Sequence, residues 1–357
     1  MQLNRIEVRH LRNLSSVSLQ PTSGINIIEG LNASGKTSLL EAIHILGLAR
    51  SFRTGKPEKL IQYGEASYTL FAELTNQTPH RLGIQRYRDQ RLELRLDGSK
   101  LHSRSELATI LPLQLITPES TLLLTGAPAE RRNFIDWIMF HVEPTFHQVW
   151  KSYQLHLKQR NALLRQGSLE TLSLWSQGLI EYGEKIDQLR RGVIDELIHF
   201  IARYCSQILP DIDIHVHYRQ GWRKDLTLAE SIDNALDTDR KMHFTTTGPH
   251  RAELIFKHGE LNVSEVLSRG QLKLLLCVLK LAQIGFLREK TAISPVVLID
   301  DLPAELDSSH RKLLLSHLHQ LETQVFVTTT SRSLLEVSEL MDVKLFHVEH
   351  GKIQEVV

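Results

Sequence analysis

The chain has 357 residues, with 42 lysines and arginines against 41 aspartates and glutamates, so it is long enough for two domains or for one domain carrying a large insertion. The charge balance excludes a uniformly basic nucleic-acid binder, and any such attraction must come from local patches. Cys205 and Cys277 lie far apart and in no metal-like spacing, which argues against disulfides and zinc and for a reducing compartment.

The first 115 residues or so read as strands: IEVRHL, SVSLQ, INIIEG, SYTLFAEL, LGIQRYR and LELRL, the last closing at the turn signal Asp97-Gly98. MQLNRIEVRHLRN offers no apolar core of signal-peptide length. The longest apolar stretch, from Leu272, contains Lys273 and Lys280 and is too short to span a bilayer. A soluble cytoplasmic protein with no membrane partner is expected.

Between the strand Ile25, Ile27, Ile28 and the helix-periodic Leu39, Leu40, Ala42, Ile43 stands Gly30-Leu31-Asn32-Ala33-Ser34-Gly35-Lys36-Thr37-Ser38. This fits G-x-x-x-x-G-K-[ST] in full and in its strand-to-helix context. The glycines let backbone N–H groups wrap a phosphate at a helix N-terminus. Lys36 would reach the terminal phosphates, and the Thr37 hydroxyl would ligate Mg²⁺.

From about 128 to 205 the pattern turns helical, beginning near Arg131-Arg132. Leu179, Tyr182, Ile186, Leu189, Val193, Leu197, Phe200 and Tyr204 form an apolar seam on one helix face. Lys151, Lys158, Arg160, Arg165, Arg190 and Arg191 put positive charge on this arm, enough for a phosphate-tracking face if they converge. Strand alternation returns between Asp211 and Tyr218, followed by a polar segment to about Asp239. The rest reads as turn, strand, loop, helix, strand, helix, strand and terminal hairpin.

Val296-Val297-Leu298-Ile299-Asp300-Asp301 is a buried strand ending in two acids. Asp300 would hold Mg²⁺, and Asp301, facing the other way, would orient or deprotonate the attacking water. Upstream, Leu267-Ser268-Arg269-Gly270-Gln271 opens an apolar helix, a second anion site.

A phosphate loop, then this pentapeptide, then the acidic strand end resembles the order of ABC-type ATPases, in which the pentapeptide is the signature. That resemblance implies bound ATP sandwiched in a dimer: Ser268, Arg269, Gly270 and Gln271 of one copy contact the nucleotide of the other. By the same resemblance Glu305-Leu306-Asp307 looks like the D-loop, with Asp307 reaching across the dimer. Many transporters place a switch histidine after a strand such as Val325-Phe326-Val327, but Thr328-Thr329-Thr330-Ser331 stands there. A membrane-transporter ATPase and an ATP-binding scaffold without turnover are the alternatives.

Leu11-Arg12-Asn13, Arg50-Ser51-Phe52-Arg53, Thr117-Pro118-Glu119, Arg131 to Trp137, Leu157 to Asn161, Gly248 to Leu254 and Leu267 to Lys273 narrow the class. Together they resemble the RecF family of bacterial recombination mediators over about residues 3 to 353. The resemblance implies an α/β fold: an ABC-type, SMC-like P-loop ATPase head, with a mixed sheet and an antiparallel β subdomain, carrying an inserted α-helical arm. Head residues would be 1-127 and 241-357, arm residues 128-240.

It implies weak ATPase activity, ATP and Mg²⁺ as ligands, and an ATP-dependent homodimer. It also implies binding to single-stranded and gapped or junction DNA, help to RecR and RecO in loading RecA, and support of the SOS response. Arg12 and Asn13 match residues that touch the nucleotide phosphates in SMC-like heads. Gln114 or Glu119 would be the Q-loop residue, and His250 a structural turn residue or dimer contact.

Overall fold

The structure is a computed structural model, and it describes residues 2–76, 78–167, 170–337 and 340–356. The chain divides into two compact units, Met1–Ser120 with Thr291–Val357, and Thr121–Lys290.

The first unit holds two six-stranded sheets. One is antiparallel, built from Gln2–Leu11, Leu14–Leu19, Ser67–Asn76, Thr78–Tyr87, Leu92–Leu96 and Ser99–Lys100. Its turn at Asp97-Gly98 has φ of 50° and 82°, the positive pair that a two-residue hairpin requires. Leu3, Ile6 and Val8 on one face of its first strand join Leu39, Leu40 and Ile43 of the helix Lys36–Leu48 in a common core.

The second sheet contains the site. Its order runs Lys352–Val356, Val343–Glu349, Ile25–Glu29, Val325–Thr329, Val296–Ile299, Leu113–Ile116. All pairs are parallel except the terminal hairpin. Strands buried on both faces read as unbroken apolar runs, and Val296–Ile299 and Val325–Thr329 are buried at every position. Because Ile25–Glu29, Val325–Thr329 and Val296–Ile299 are parallel neighbours, the loops after them emerge side by side at one sheet edge.

The helix Arg104–Ile110 has no counterpart among the predicted elements. Its signal is Ser103, which accepts a hydrogen bond from the Glu106 N–H at 3.2 Å; Ser-x-x-Glu before an apolar pair is a helix start.

The second unit is mainly helical, with long helices Phe146–Gln166 and Leu172–Ile208 packed together. Leu179, Ile186, Val193, Leu197 and Tyr204 of the predicted seam are buried, which makes the seam the interior of this unit. The helix Arg269–Thr291 belongs here: the Phe200 and Phe286 rings meet edge to face at 5.5 Å, and Gln283 Nε2 donates to the Phe134 carbonyl at 2.8 Å. The unit therefore spans 121–290, whereas the sequence pattern suggests an arm of 128–240. Among the described residues Arg269–Thr291 alone is long and apolar enough to cross a membrane, but 72% of its most apolar window is buried in the protein.

The predicted basic face of the arm is corrected by burial. Arg160 is fully buried, giving Nη1 to Asp239 at 2.6 Å and Thr245 at 2.7 Å. Arg190 is 1% exposed and gives Nη2 to Asp136 at 2.7 Å and Nη1 to the Pro249 carbonyl at 2.8 Å. Both guanidiniums are buried in structural ion pairs and are not presented on the arm's surface. His250 is likewise internal, between the Tyr153 hydroxyl at 2.5 Å and the Thr245 carbonyl at 3.1 Å.

Candidate functional site: a phosphate loop at the sheet edge

The segment Gly30–Ser38 leaves the strand Ile25–Glu29 and turns into the helix Lys36–Leu48. A Cβ on Gly30 would come within 2.3 Å of the Val348 carbonyl oxygen, and Gly35 has φ +124°, so only glycine fits at either end of the loop. Leu31, Asn32 and Ala33 face solvent, while Ser34, Lys36 and Ser38 are buried. No side chain caps the helix and no acid lies in its first turn. Its N–H groups and its positive dipole end are left for an anion.

Lys36 Nζ donates to the carbonyls of Gly30 at 2.7 Å and Leu31 at 2.9 Å. Burial lowers its pKa, and the nearby Asp301 and Asp300 carboxylates pull it back up. The ammonium thus sits beside the loop, held by weak acceptors that a phosphate oxygen outcompetes.

Thr37 Oγ1 lies 3.1 Å from both carboxylate oxygens of Asp300. Asp300 also accepts from Thr328 Oγ1 at 2.8 Å, and the same Thr328 oxygen accepts from the Asp301 N–H at 2.7 Å. Burial raises the Asp300 pKa, opposed by the hydrogen bonds from Thr328 and Thr37. Thr328, one of the hydroxyl residues standing where a switch histidine was sought, thus orients the Asp300 carboxylate and holds the Asp301 backbone. Asp301 is exposed and left-handed at φ 52°.

Two more segments brace the loop. Asn13 Nδ2 donates to the Ser34 carbonyl at 3.2 Å and Asn13 Oδ1 accepts from Ser38 Oγ at 2.9 Å. Gly351, in the terminal hairpin turn, donates its N–H to the same Ser34 carbonyl at 2.9 Å.

Arg12 is placed differently from expectation. Its guanidinium forks onto the fully buried Glu41, Nε at 2.9 Å and Nη2 at 3.0 Å, and its Nη1 reaches the Lys59 carbonyl at 3.1 Å. Arg12 therefore braces the helix behind the loop, while Asn13 touches the loop itself. Gln114 is buried inside the strand Leu113–Ile116, whereas Glu119 is exposed just past its end, on the edge where Asp300 donates its N–H to the Ile116 carbonyl at 2.9 Å.

In the helical unit, Ser268 and Gln271 cap their helix reciprocally: the Ser268 N–H donates to Gln271 Oε1 at 2.9 Å, and the Gln271 N–H to Ser268 Oγ at 3.3 Å. Ser268, Arg269 and Gly270 are exposed, and an added Cβ on Gly270 would meet nothing closer than Ser268 Oγ at 4.0 Å. Asp307 caps the helix Ser308–Gln320 through the His310 N–H at 3.0 Å. Hydrogen bonds from His310 and Ser309 hold its carboxyl well below the usual carboxylate range.

The donor set fits a triphosphate with magnesium. The Ser34 hydroxyl is buried with no partner among the described residues, and it stands where the loop would wrap a phosphate. An octahedral Mg–O distance of about 2.1 Å puts neighbouring ligand oxygens about 3 Å apart. Thr37 Oγ1 and Asp300 are 3.1 Å apart. Among the described residues no group of three or more His, Cys, Asp or Glu could hold a metal, and magnesium bound with a phosphate needs no such cage.

One concavity in the same unit has a different character. It encloses about 490 Å³ and is lined by Arg50, Arg53, Arg86 and Arg104 with Phe52 and Tyr68. No carboxylate lines it among the described residues. Arg86 Nε is buried without a hydrogen-bond partner. Four guanidiniums facing one space repel each other unless an anion joins them.

A glycine loop on an uncapped helix, a two-acid strand end beside it and a separately built signature helix define the ATPase head of the ABC type, in its SMC-like form. The RecF/RecN/SMC N terminal domain profile matches residues 2–354. The chain is 40% identical to the DNA replication and repair protein RecF of Shewanella piezotolerans over 356 residues, 99% of each chain. It is 43% identical to that of Stutzerimonas stutzeri over 362 residues, 100% of this chain and 98% of the relative. This chain belongs to the RecF family.

A solved structure of the recombination mediator protein RecF-ATPrS in the RecFOR pathway superposes with a TM-score of 0.88 at 26% identity, covering 100% of this chain and 98% of that one. An Smc head bound to the C-winged helix domain of ScpA shares the fold, with TM-score 0.61 at 15% identity over 100% and 98% of the two chains.

Proposed function

We propose that this protein is a cytoplasmic ATP-dependent DNA-binding protein of recombinational repair and replication restart, whose heads dimerise on ATP and separate on hydrolysis. The cluster of Lys36, Thr37, Asp300 and Thr328 at the sheet edge carries the proposal. Backbone N–H groups of Gly30–Ser38 and the Lys36 ammonium bind the β- and γ-phosphates, and Thr37 with Asp300 would hold Mg²⁺. When bound, that ion neutralises phosphate charge. Asp301, free of the Thr37 hydroxyl, accepts a proton from the water that attacks the γ-phosphorus; the bond to the bridging oxygen breaks, leaving ADP and phosphate. Thr328 keeps Asp300 ionised by donating to it, and fixes the Asp301 backbone.

The second wall of the nucleotide site comes from Ser268, Arg269, Gly270 and Gln271 of another copy, with Asp307 reaching across. The solvent exposure of Ser268, Arg269 and Gly270 supports this, because a signature built only to cap its own helix would not need an open glycine. The arginine concavity takes DNA phosphates, with Phe52 and Tyr68 alongside. Gapped or junction DNA is the substrate class. RecR and RecO are the partners in loading RecA, with support of the SOS response as the outcome; family membership supports this assignment.

The test is Lys36→Ala followed by calorimetry with ATP and sedimentation with ATP and gapped duplex. Loss of both ATP binding and the ATP-induced dimer is expected. Wild-type protein that stays monomeric at saturating ATP and gapped DNA would overturn the dimer mechanism.

A further inference from the structure

Glu41 is fully buried on the helix whose N-terminus is the phosphate loop, and it collects donors from two other segments. From one side comes the Arg12 fork, at 2.9 and 3.0 Å. The neighbouring Asn13 holds the Ser34 carbonyl and Ser38, so this turn is tied to the phosphate loop through Asn13 and to the helix behind it through Arg12. From the other side come the Ser51 hydroxyl and Arg53 Nη1 at 3.7 Å. Ser51 also fixes the loop beyond it, accepting from the N–H groups of Arg53 at 2.9 Å and Thr54 at 3.0 Å.

The far end of that loop returns to Arg12. The Arg12 N–H donates to the Leu60 carbonyl at 2.7 Å and its Nη1 to the Lys59 carbonyl at 3.1 Å. Arg12 achieves this in a left-handed backbone at φ 56°, a conformation that costs a non-glycine residue energy and persists only when its surroundings impose it. Residues 51–60 supply Phe52, Arg53 and Thr54 to the arginine concavity. Glu41 is thus the shared anchor of the phosphate loop's brace and of the concavity's wall.

The three donors are unequal. The Arg12 fork satisfies both carboxylate oxygens, and removing it would leave a buried charge unpaired at high cost. Arg53 is half-exposed, and 3.7 Å is too long for a hydrogen bond. It is attracted to Glu41 without being fixed by it, so a phosphate in the concavity can draw it away, changing the pull on Ser51 and on the helix behind the ATP loop.

We propose that Glu41 is a positioning residue that couples occupancy of the arginine concavity to the ATP loop. The proposal rests on the assignment of that concavity to DNA phosphates. Coupling is the factor by which ATP changes the affinity for DNA, and by linkage the same factor applies in reverse. It is measured on the full chain with a fluorescent gapped duplex, with and without ATP, in wild type, Glu41→Gln and Ser51→Ala, with thermal unfolding of each.

Wild type is expected to show a factor of about five or more. In Glu41→Gln it falls to within about twofold of unity, and Ser51→Ala, which removes the tie to Glu41 together with the bonds from the Arg53 and Thr54 N–H groups but leaves the Arg12 fork, lies between. A merely structural role would lower the melting temperature and leave the factor intact. An unchanged factor in Glu41→Gln overturns the proposal, as does a factor of one in wild type. If Glu41→Gln does not fold, an unchanged factor in Ser51→Ala overturns it. Alanine at Arg50, Arg86 and Arg104 separates the two failures. An unaltered salt dependence of DNA binding there sinks the concavity's assignment, whereas a reduced dependence with intact coupling in Glu41→Gln sinks only the role of Glu41.

Discussion

Replacing Arg50, Arg86 and Arg104 together by alanine removes three cations from one concavity. None of the three makes an ion pair to a carboxylate within hydrogen-bonding range, unlike Arg12 on Glu41 or Arg131 on Glu253. Exposed Arg50 and Arg104 and half-buried Arg86 therefore carry little of the fold's stability, and each change should cost no more than about 0.5 kcal/mol. Their effect falls on DNA. Each phosphate contact with duplex contributes about −0.9 to the slope of log affinity against log salt. Three lost contacts should flatten the slope by about 2.7. Between 50 and 200 mM salt that amounts to roughly 40-fold less loss of affinity in the variant than in wild type. Fluorescence anisotropy of a labelled gapped duplex across this range measures it. A slope within about 0.5 of wild type, in a variant that melts normally, would refute the assignment.

Arg160→Ala behaves in the opposite way: it leaves Asp239 buried and unpaired, so stability should drop by about 3–5 kcal/mol in denaturant unfolding, with the salt slope unchanged. Thr328→Val removes a hydrogen bond to ionised Asp300 and should raise that carboxyl's pKa further. The acid limb of the hydrolysis profile then moves to higher pH, and a phosphate-release assay showing no movement would refute the role of Thr328. His44, His141 and His250 are each held down to about 4 by burial, from 6.5 in the unfolded chain. Below pH 6.5 the unfolded state binds protons that the folded state refuses, so stability present at pH 7 is lost as pH falls toward 4. The loss is at most about 3.4 kcal/mol for each histidine. Equal urea midpoints at pH 7 and 4.5 would contradict this.

Local chemistry made much of this protein legible in its sequence. Gly30-to-Thr37 needs only its own residues and two flanking elements, because a phosphate loop is a contiguous device in which glycine conformations and a helix N-terminus do the binding. Val296–Asp301 is likewise local, since burial on both faces writes an unbroken apolar run and its end is marked by charge. Those segments, with Ser268-to-Gln271, determined the class, and short stretches such as Leu11-Arg12-Asn13, Arg131 to Trp137 and Gly248 to Leu254 narrowed it to the family.

Tertiary structure decided which charges are available. Six basic residues of the arm look alike in sequence, yet Arg160 and Arg190 are interior because Asp239 and Asp136, 79 and 54 positions away, meet them. Arg12 was directed to Glu41 by a carboxylate one helical turn past the loop, and Arg50, Arg86 and Arg104 converge from three separate elements. Thr328 reaches Asp300 only because Val325–Thr329 and Val296–Ile299 are parallel neighbours. A charged or hydroxyl side chain carries no sequence mark of its partner. Pairing, and with it the division between structural and functional charge, depends on distances that only the folded sheet and helices set.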